Sequence, residues 1–115
     1  MAFDLNKSID IIEIMENYIS KVRPRPEIMH NIDLSYAIEN QSIILNEIRP
    51  YWGNPNEVLT SGYAKSTFVK NKNIWKIYWK RADNKWHLYE PPPNVEQLKD
   101  FLKIVDQDKY GCFKG

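Results

Sequence analysis

The segment from residue 63 to residue 90 restricts the fold most, because polar and apolar side chains alternate along it with a period of two. Such alternation is typical of strands that bury one face. We predict strands over 63–69, 74–81 and 86–90, joined by turns at 70–73 and 82–85. Both turns are rich in turn-forming residues and are short, so neighbouring strands run antiparallel.

A register for these strands follows if Val69 pairs with Ile74 and Arg81 pairs with Trp86. One face is then apolar and contains Ala64, Ser66, Phe68, Trp75, Ile77, Trp79, Trp86 and Leu88. The opposite face collects the cations and the remaining rings, namely Tyr63, Lys65, Thr67, Lys76, Tyr78, Lys80, His87 and Tyr89. The clean separation of the two faces favours this register.

A second hairpin precedes these strands. Leu34, Tyr36 and Ile38 alternate with smaller or polar residues, the pair 40–41 forms a turn, and the chain returns over 42–49. Pairing Ile38 with Ile43 brings Tyr36 opposite Leu45 on one apolar face. Residues 50–56 contain Gly, Pro and Asn and are predicted to form a loop.

Helices are predicted at both ends of the chain. Helical spacing connects Leu5, Ile9, Ile12, Met15, Ile19 and Val22. Asp4 or Asn6 would cap this helix, and Pro24 and Pro26 would end it. The helix also carries Ile11, Ile14 and Tyr18, so its apolar face is wide enough to favour a homodimer contact.

The C-terminal helix is predicted from the spacing of Val95, Leu98, Phe101, Leu102 and Val105. The prolines at 91–93 end the last strand, and Asn94 with Gln97 resembles a capping box. The fold class is therefore α+β: an antiparallel sheet of about five strands with an N-terminal and a C-terminal helix, in one domain over residues 1–115.

Composition excludes several classes of protein. Cys112 is the only cysteine, so an internal disulfide is impossible and a disulfide-rich secreted fold is excluded. No apolar run approaches the ~18 residues of a membrane span, and the N-terminus lacks the order of a signal peptide. We therefore expect no membrane partner and a cytoplasmic location.

The charge is unevenly distributed along the chain. Residues 63–89 carry seven Lys or Arg and one acid, whereas residues 1–62 carry five Lys or Arg and nine acids. Two explanations fit this pattern. Lysines protect sheet edges from aggregation, and a basic patch also binds anions.

Sequence motifs indicate no catalytic residue, no metal site and no cofactor. His30, His87 and Cys112 lack the paired spacing of a zinc site. The four glycines are isolated, so no loop is suited to phosphate. A weak metal-dependent hydrolase or nuclease around Glu47, His87 or Cys112 stays as an alternative with an incomplete set of groups.

The stretch AKSTFVKNKNIWKIYWKRADNKWHLYEP and the later VDQDKYGCFKG resemble the bacterial family called domain of unknown function 3024. The resemblance begins at about Tyr36 and is densest from Ala64 to Gly115. It is carried by the tryptophan-rich strand, the Arg-Ala-Asp turn, Trp86 with His87, and the closing Gly-Cys-Phe. It implies a shared fold and assigns no residue a role.

Two hypotheses about function follow. The first is a nucleic-acid-binding module that uses Tyr63, Lys65, Lys76, Tyr78, Lys80, His87 and Tyr89, because rings stack bases and lysines neutralise the phosphates of a single strand. The second is a protein-interaction or dimerisation domain that uses the N-terminal helix or Trp52. The decisive observation is which face of the sheet the helices cover.

Overall fold

The structure is a computed structural model that describes residues 3–23, 32–51, 53–90 and 93–113. Its elements, in chain order, are α1 (Leu5–Val22), β1 (Asp33–Glu39), β2 (Ser42–Tyr51), β3 (Asn54–Val69), β4 (Ile74–Lys80), β5 (Trp86–Leu88), β6 (Asn94–Val95) and α2 (Leu98–Gln107). The predicted α+β class, with a helix at each end of an antiparallel sheet, is confirmed.

The sheet is an antiparallel meander in which β1 to β5 follow one another in space. The short strand β6 pairs with β4 beside Trp75, on the edge that β5 occupies further along. The predicted pairs of Ile38 with Ile43 and of Val69 with Ile74 are confirmed. Both connecting turns contain an Asn with positive φ, Asn40 and Asn73, a conformation that Asn tolerates better than most residues.

The loop predicted over residues 50–56 is wrong. β2 continues to Tyr51 and β3 already begins at Asn54, so the two strands form a long hairpin arm. Pro50 pairs with Val58 within this arm, where β2 has no other described neighbour and a missing N–H is tolerated. Trp52, which the second hypothesis used, lies outside the described residues.

The placement of Tyr63 on the basic face is also wrong. Leu45 pairs with Ala64 but Asn46 pairs with Gly62, so Tyr63 is an extra residue in β3 and forms a β-bulge. The bulge turns Tyr63 toward the core, where 7% of it is exposed. A glycine inside a strand pattern is a known sign of a bulge, and Gly62 is the signal that could have indicated it.

The predicted register of the last strand is wrong by one residue. Lys80, not Arg81, pairs with Trp86, and a backbone hydrogen bond of 3.2 Å joins Arg81 N–H to the Lys85 carbonyl. The loop is shorter than predicted because Asn84 adopts a left-handed conformation with φ of 63°. Three-residue hairpin loops commonly end in this way, and a slip of one residue exchanges the faces of the strand.

Helix α1 begins as predicted, since the Asp4 carboxylate accepts a hydrogen bond of 2.8 Å from the Lys7 N–H. Its buried side chains are Ile11, Met15, Tyr18 and Ile19. This row differs from the predicted apolar stripe and leaves the other side of the helix exposed at Leu5, Ile9 and Ile12. The prolines predicted to end the helix, Pro24 and Pro26, lie outside the described residues.

Helix α2 begins later than predicted. Gln97 is its N-cap and makes no side-chain capping hydrogen bond, and Asn94 and Val95 belong to β6 instead of the helix. The capping box is therefore wrong. At the other end Asp108 has a left-handed conformation, and its carboxylate accepts a hydrogen bond of 3.0 Å from the Phe113 N–H.

Both helices lie on one face of the sheet, which we call the helical face. Phe3 precedes α1 and packs its ring against Phe68 and Trp75, and Tyr36 of β1 donates a hydrogen bond to Glu16 of α1. Helix α2 contacts β3, β4 and β6, and all its buried residues, such as Phe101, belong to the core. The core therefore lies between the helices and this face.

We predict that Leu45→Ala lowers the free energy of unfolding by about 2–5 kcal/mol, because Leu45 is fully buried and its removal leaves a cavity. The matched control is Leu59→Ala in the hairpin arm, where 54% of the side chain is exposed. We expect that control to change stability by about 0.5 kcal/mol or less. Urea denaturation measures both, and equal losses would contradict the described core.

Candidate nucleic-acid interface

The side of the sheet away from the helices carries the basic surface. We call it the outer face and define it by Ile44, Lys65, Lys76, Tyr78, Lys80 and Trp86, all half-buried. Four of the seven predicted site residues lie there: Lys65, Lys76, Tyr78 and Lys80. The predicted register placed Trp86 and Leu88 on the helical face, and that placement is wrong. The one-residue slip of β5 moves both to the outer face, where Trp86 pairs with Lys80 and Leu88 with Tyr78.

The cations and rings of the outer face contact one another. The Lys80 Nζ lies 5.0 Å from the centre of the Trp86 ring, and the Lys65 Nζ lies 5.8 Å from it. Lys65 also lies 5.7 Å from the centre of the Tyr78 ring. These separations are within the range of cation–π attraction, so two ammonium groups and two rings form one cluster.

No acid interrupts this cluster on its own strands. From Thr60 to Leu88, the residues of β3, β4 and β5 that share the outer face are Thr60, Gly62, Lys65, Thr67, Val69, Ile74, Lys76, Tyr78, Lys80, Trp86 and Leu88. Three are cationic and none is anionic. The local excess of positive charge in the sequence is therefore partly concentrated on one surface.

Gly62 provides the space that the Trp86 ring occupies. A Cβ at Gly62 would lie 3.0 Å from the Trp86 Cζ2 and 3.0 Å from the Ile44 Cγ2. Such distances are shorter than ordinary carbon contacts, so the indole lies directly on the backbone of β3. The Trp86 ring therefore packs against Gly62 on the outer face, with Lys65 and Lys80 beside it.

Three predicted site residues do not join the cluster. Tyr63 is turned into the core by the bulge, and burial raises the pKa of its phenol. Tyr89 is 2% exposed and stacks on Phe113, with ring centres 5.0 Å apart. His87 pairs with Trp79 across β4 and β5, which places it on the helical face.

His87 instead forms a hydrogen bond with Asp83 of the β4–β5 turn. Its Nε2 lies 2.8 Å from the Asp83 Oδ2, and the Asp83 carboxylate also accepts a hydrogen bond from the Lys85 N–H. These bonds hold the pKa of Asp83 below its ordinary value. The pair stabilises the turn that sets the register of β5, so a structural role explains both residues.

The groups of the hydrolase alternative are engaged separately. Glu47 forms an ion pair of 3.2 Å with Arg49, while His87 is engaged by Asp83. Burial raises the pKa of the Cys112 thiol, which disfavours the nucleophilic thiolate. Within residues 3–23, 32–51, 53–90 and 93–113, no three His, Cys, Asp or Glu side chains are grouped to hold a metal ion. His30 lies outside these ranges.

A double-mutant cycle tests the packing of the Trp86 ring against Gly62. We predict that Gly62→Ala costs more stability in the parent protein than in the Trp86→Ala background, because the new methyl group meets the indole only in the former. The expected coupling is about 0.5–2 kcal/mol. Urea denaturation of the four proteins measures it, and a coupling near zero would contradict the contact.

A second prediction concerns the buried phenols of Tyr18 and Tyr63. Burial raises both pKa values, and Tyr18 also donates a hydrogen bond of 2.7 Å to Asp106. Tyrosines of the unfolded chain ionise near pH 10, so the stabilisation of the folded state by these two protonated phenols is fully present below that pH. Above it the unfolded state loses protons that the folded state keeps, and the free energy of unfolding must fall.

We expect Tyr18→Phe combined with Tyr63→Phe to flatten this decline when unfolding is measured in urea between pH 9 and pH 11. The matched control is Tyr110→Phe, since Tyr110 is exposed. It should leave the slope of stability against pH unchanged. An equally steep decline in the double variant would show that the two phenols are not the groups responsible.

Comparison with known proteins identifies a family for this chain and no function. No helix in the described part of the chain is long and apolar enough to cross a membrane. No curated protein and no solved structure matches the chain significantly. A family model, Domain of unknown function (DUF3024), matches residues 3–115 and so covers nearly the whole sequence. The chain belongs to the DUF3024 family.

Proposed function

We propose that this protein binds single-stranded nucleic acid on the outer face of its sheet. One observation carries the proposal: Lys65 and Lys80 lie within 6 Å of the Trp86 ring on the face opposite both described helices. Surfaces that bind single strands combine cations for the phosphates with rings on which bases stack. The outer face contains both kinds of group in one cluster.

The energies of the two kinds of contact indicate that a nucleic-acid base can displace a lysine from the Trp86 ring. A cation–π contact at an exposed site contributes about 0.5–1 kcal/mol, whereas stacking of one base contributes about 1–3 kcal/mol. A base can therefore replace an ammonium group over the indole. The displaced Lys65 or Lys80 amine then reaches a neighbouring phosphate, so both contacts favour the bound state.

Stacking on the exposed rings favours single strands over duplexes. A base must be unstacked to lie on Trp86 or Tyr78, which a duplex prevents. The simpler alternative is that lysines only keep the outer face soluble. It accounts for the charge, but it gives no reason for a large indole packed against Gly62 among the lysines.

The proposal also implies a cytoplasmic setting, where the thiol of Cys112 stays reduced.

Fluorescence anisotropy with labelled single-stranded RNA and DNA tests the proposal over a range of salt concentrations. We expect the affinity to fall as salt rises, and the Lys65→Glu, Lys80→Glu double variant to flatten the log–log slope by about 1.4. Trp86→Ala should weaken binding by about 1–3 kcal/mol without changing that slope.

The matched control is Lys99→Glu with Lys103→Glu, which changes the net charge equally on α2, across the sheet. These changes should leave the slope much less affected than those at Lys65 and Lys80. The proposal fails if neither nucleic acid binds at low salt, or if the two double variants weaken binding equally.

The homodimer predicted through α1 stays a prediction. The exposed row of Leu5, Ile9 and Ile12 keeps it open, because apolar side chains at this spacing form a continuous stripe. Sedimentation at high protein concentration measures it directly.

A further inference from the structure

The free edge of the sheet lies on the opposite side from β5. In the described part of the chain β1 pairs with β2 only, so alternate residues of Asp33–Glu39 direct backbone N–H and C=O groups away from the sheet. Natural proteins usually block such an edge with lysine, proline or a bulge. β1 contains no lysine and no proline, and its pairing with β2 is regular.

A groove runs beside this edge between β1 and α1. It has a volume of about 530 Å³. A hydrogen bond of 2.7 Å from the Tyr36 hydroxyl to the Glu16 carboxylate joins its two walls. Ile12 and Ile38 line it and remain 44% and 37% exposed, which leaves apolar surface uncovered next to unpaired backbone.

Acidic side chains lie on both sides of this edge. Glu16 lines the groove, and Glu39, whose partner Ser42 pairs with Thr67 of the outer face, is exposed on the other side of β1. The only cation in the groove lining, Arg23, is neutralised by an ion pair of 2.6 Å with Asp33. Acidic groups beside apolar surface favour a ligand that is both basic and apolar. An open strand edge further favours a ligand in extended conformation.

A second copy of the chain fits this edge less well. If two β1 strands paired antiparallel about Tyr36, Asp33 of one copy would face Glu39 of the other at both ends of the pair. Like charges directly opposite one another destabilise a strand pair. The edge of β1 therefore fits a segment of a different protein better than a second copy of this chain.

We propose that β1 and this groove bind an extended segment of a partner protein in which apolar and basic residues alternate. The segment adds a strand to the sheet beyond β1. Its apolar side chains pack against Ile12 and Ile38 in the groove, and its basic side chains, which alternate onto the other face of the added strand, meet Glu39. This site is independent of the outer face, so neither proposal depends on the other.

The test uses a fluorescein-labelled eight-residue peptide that alternates valine and lysine, titrated with the full-length protein. We expect saturable binding, together with slowed hydrogen exchange of β1 backbone amides in the bound state. The same peptide with alternate backbone nitrogens methylated cannot form the ladder on that side. It should bind at least about tenfold more weakly.

Two pairs of protein variants locate the site. Ile12→Ser with Ile38→Ser should weaken the peptide at least about tenfold, whereas Val58→Ser, in the hairpin arm, should not. Glu39→Lys should weaken it, and the equal charge change Glu57→Lys in the arm should have a smaller effect. Circular dichroism of each variant confirms that the fold is intact.

Three outcomes would overturn the proposal. The first is no saturable binding by the folded parent protein. The second is equal affinity for the methylated peptide, or for a peptide that alternates valine and glutamate. The third is a concentration-dependent dimer that protects the β1 amides and is not displaced by the peptide, which would assign the edge to a second copy.

Discussion

The pairing of β3 with both β2 and β4 is the interaction on which the rest of the structure depends. In the middle of β3, Ala64 and Ser66 face the helices and are fully buried. Their small side chains leave room for the larger ones opposite and above them, since Ala64 lies between Leu45 and Trp79. The Ser66 hydroxyl is satisfied by donating to the Lys76 carbonyl at 3.0 Å, so its burial leaves no polar group unpaired.

Placing both helices on the face of Ala64 and Ser66 determines what the other face can do. A helix packed on the outer face would have to remove Lys65, Lys76 and Lys80 from water, which is costly for unpaired charges. The lysines and the helices therefore occupy opposite sides. The same arrangement leaves the first strand at an edge, where α1 and β1 form the two walls of a partly apolar groove. The two proposed binding surfaces are thus consequences of one layered packing.

Prediction from sequence succeeded where turn length and alternation together specify the pairing. The β1–β2 and β3–β4 registers are of this kind, because each hairpin has one turn length that aligns its apolar residues. It failed at Tyr63, His87 and Tyr89, for two local reasons. A bulge in β3 and a shortened loop between β4 and β5 each shift the alternation by one residue. A prediction that assumes strict alternation cannot detect such shifts.

The sequence by itself determined the α+β class, the two helices, most of the strand order, and the identity of Lys65, Lys76, Tyr78 and Lys80 as neighbours on one face. Those properties depend on local periodicity and short turns, which the order of residues specifies directly. Only the tertiary structure decided that both helices share the opposite face, that Trp86 sits on Gly62 between two lysines, and that β1 borders a groove. These features depend on contacts between residues distant in sequence, and the periodicity of one segment carries no information about which other segment covers it.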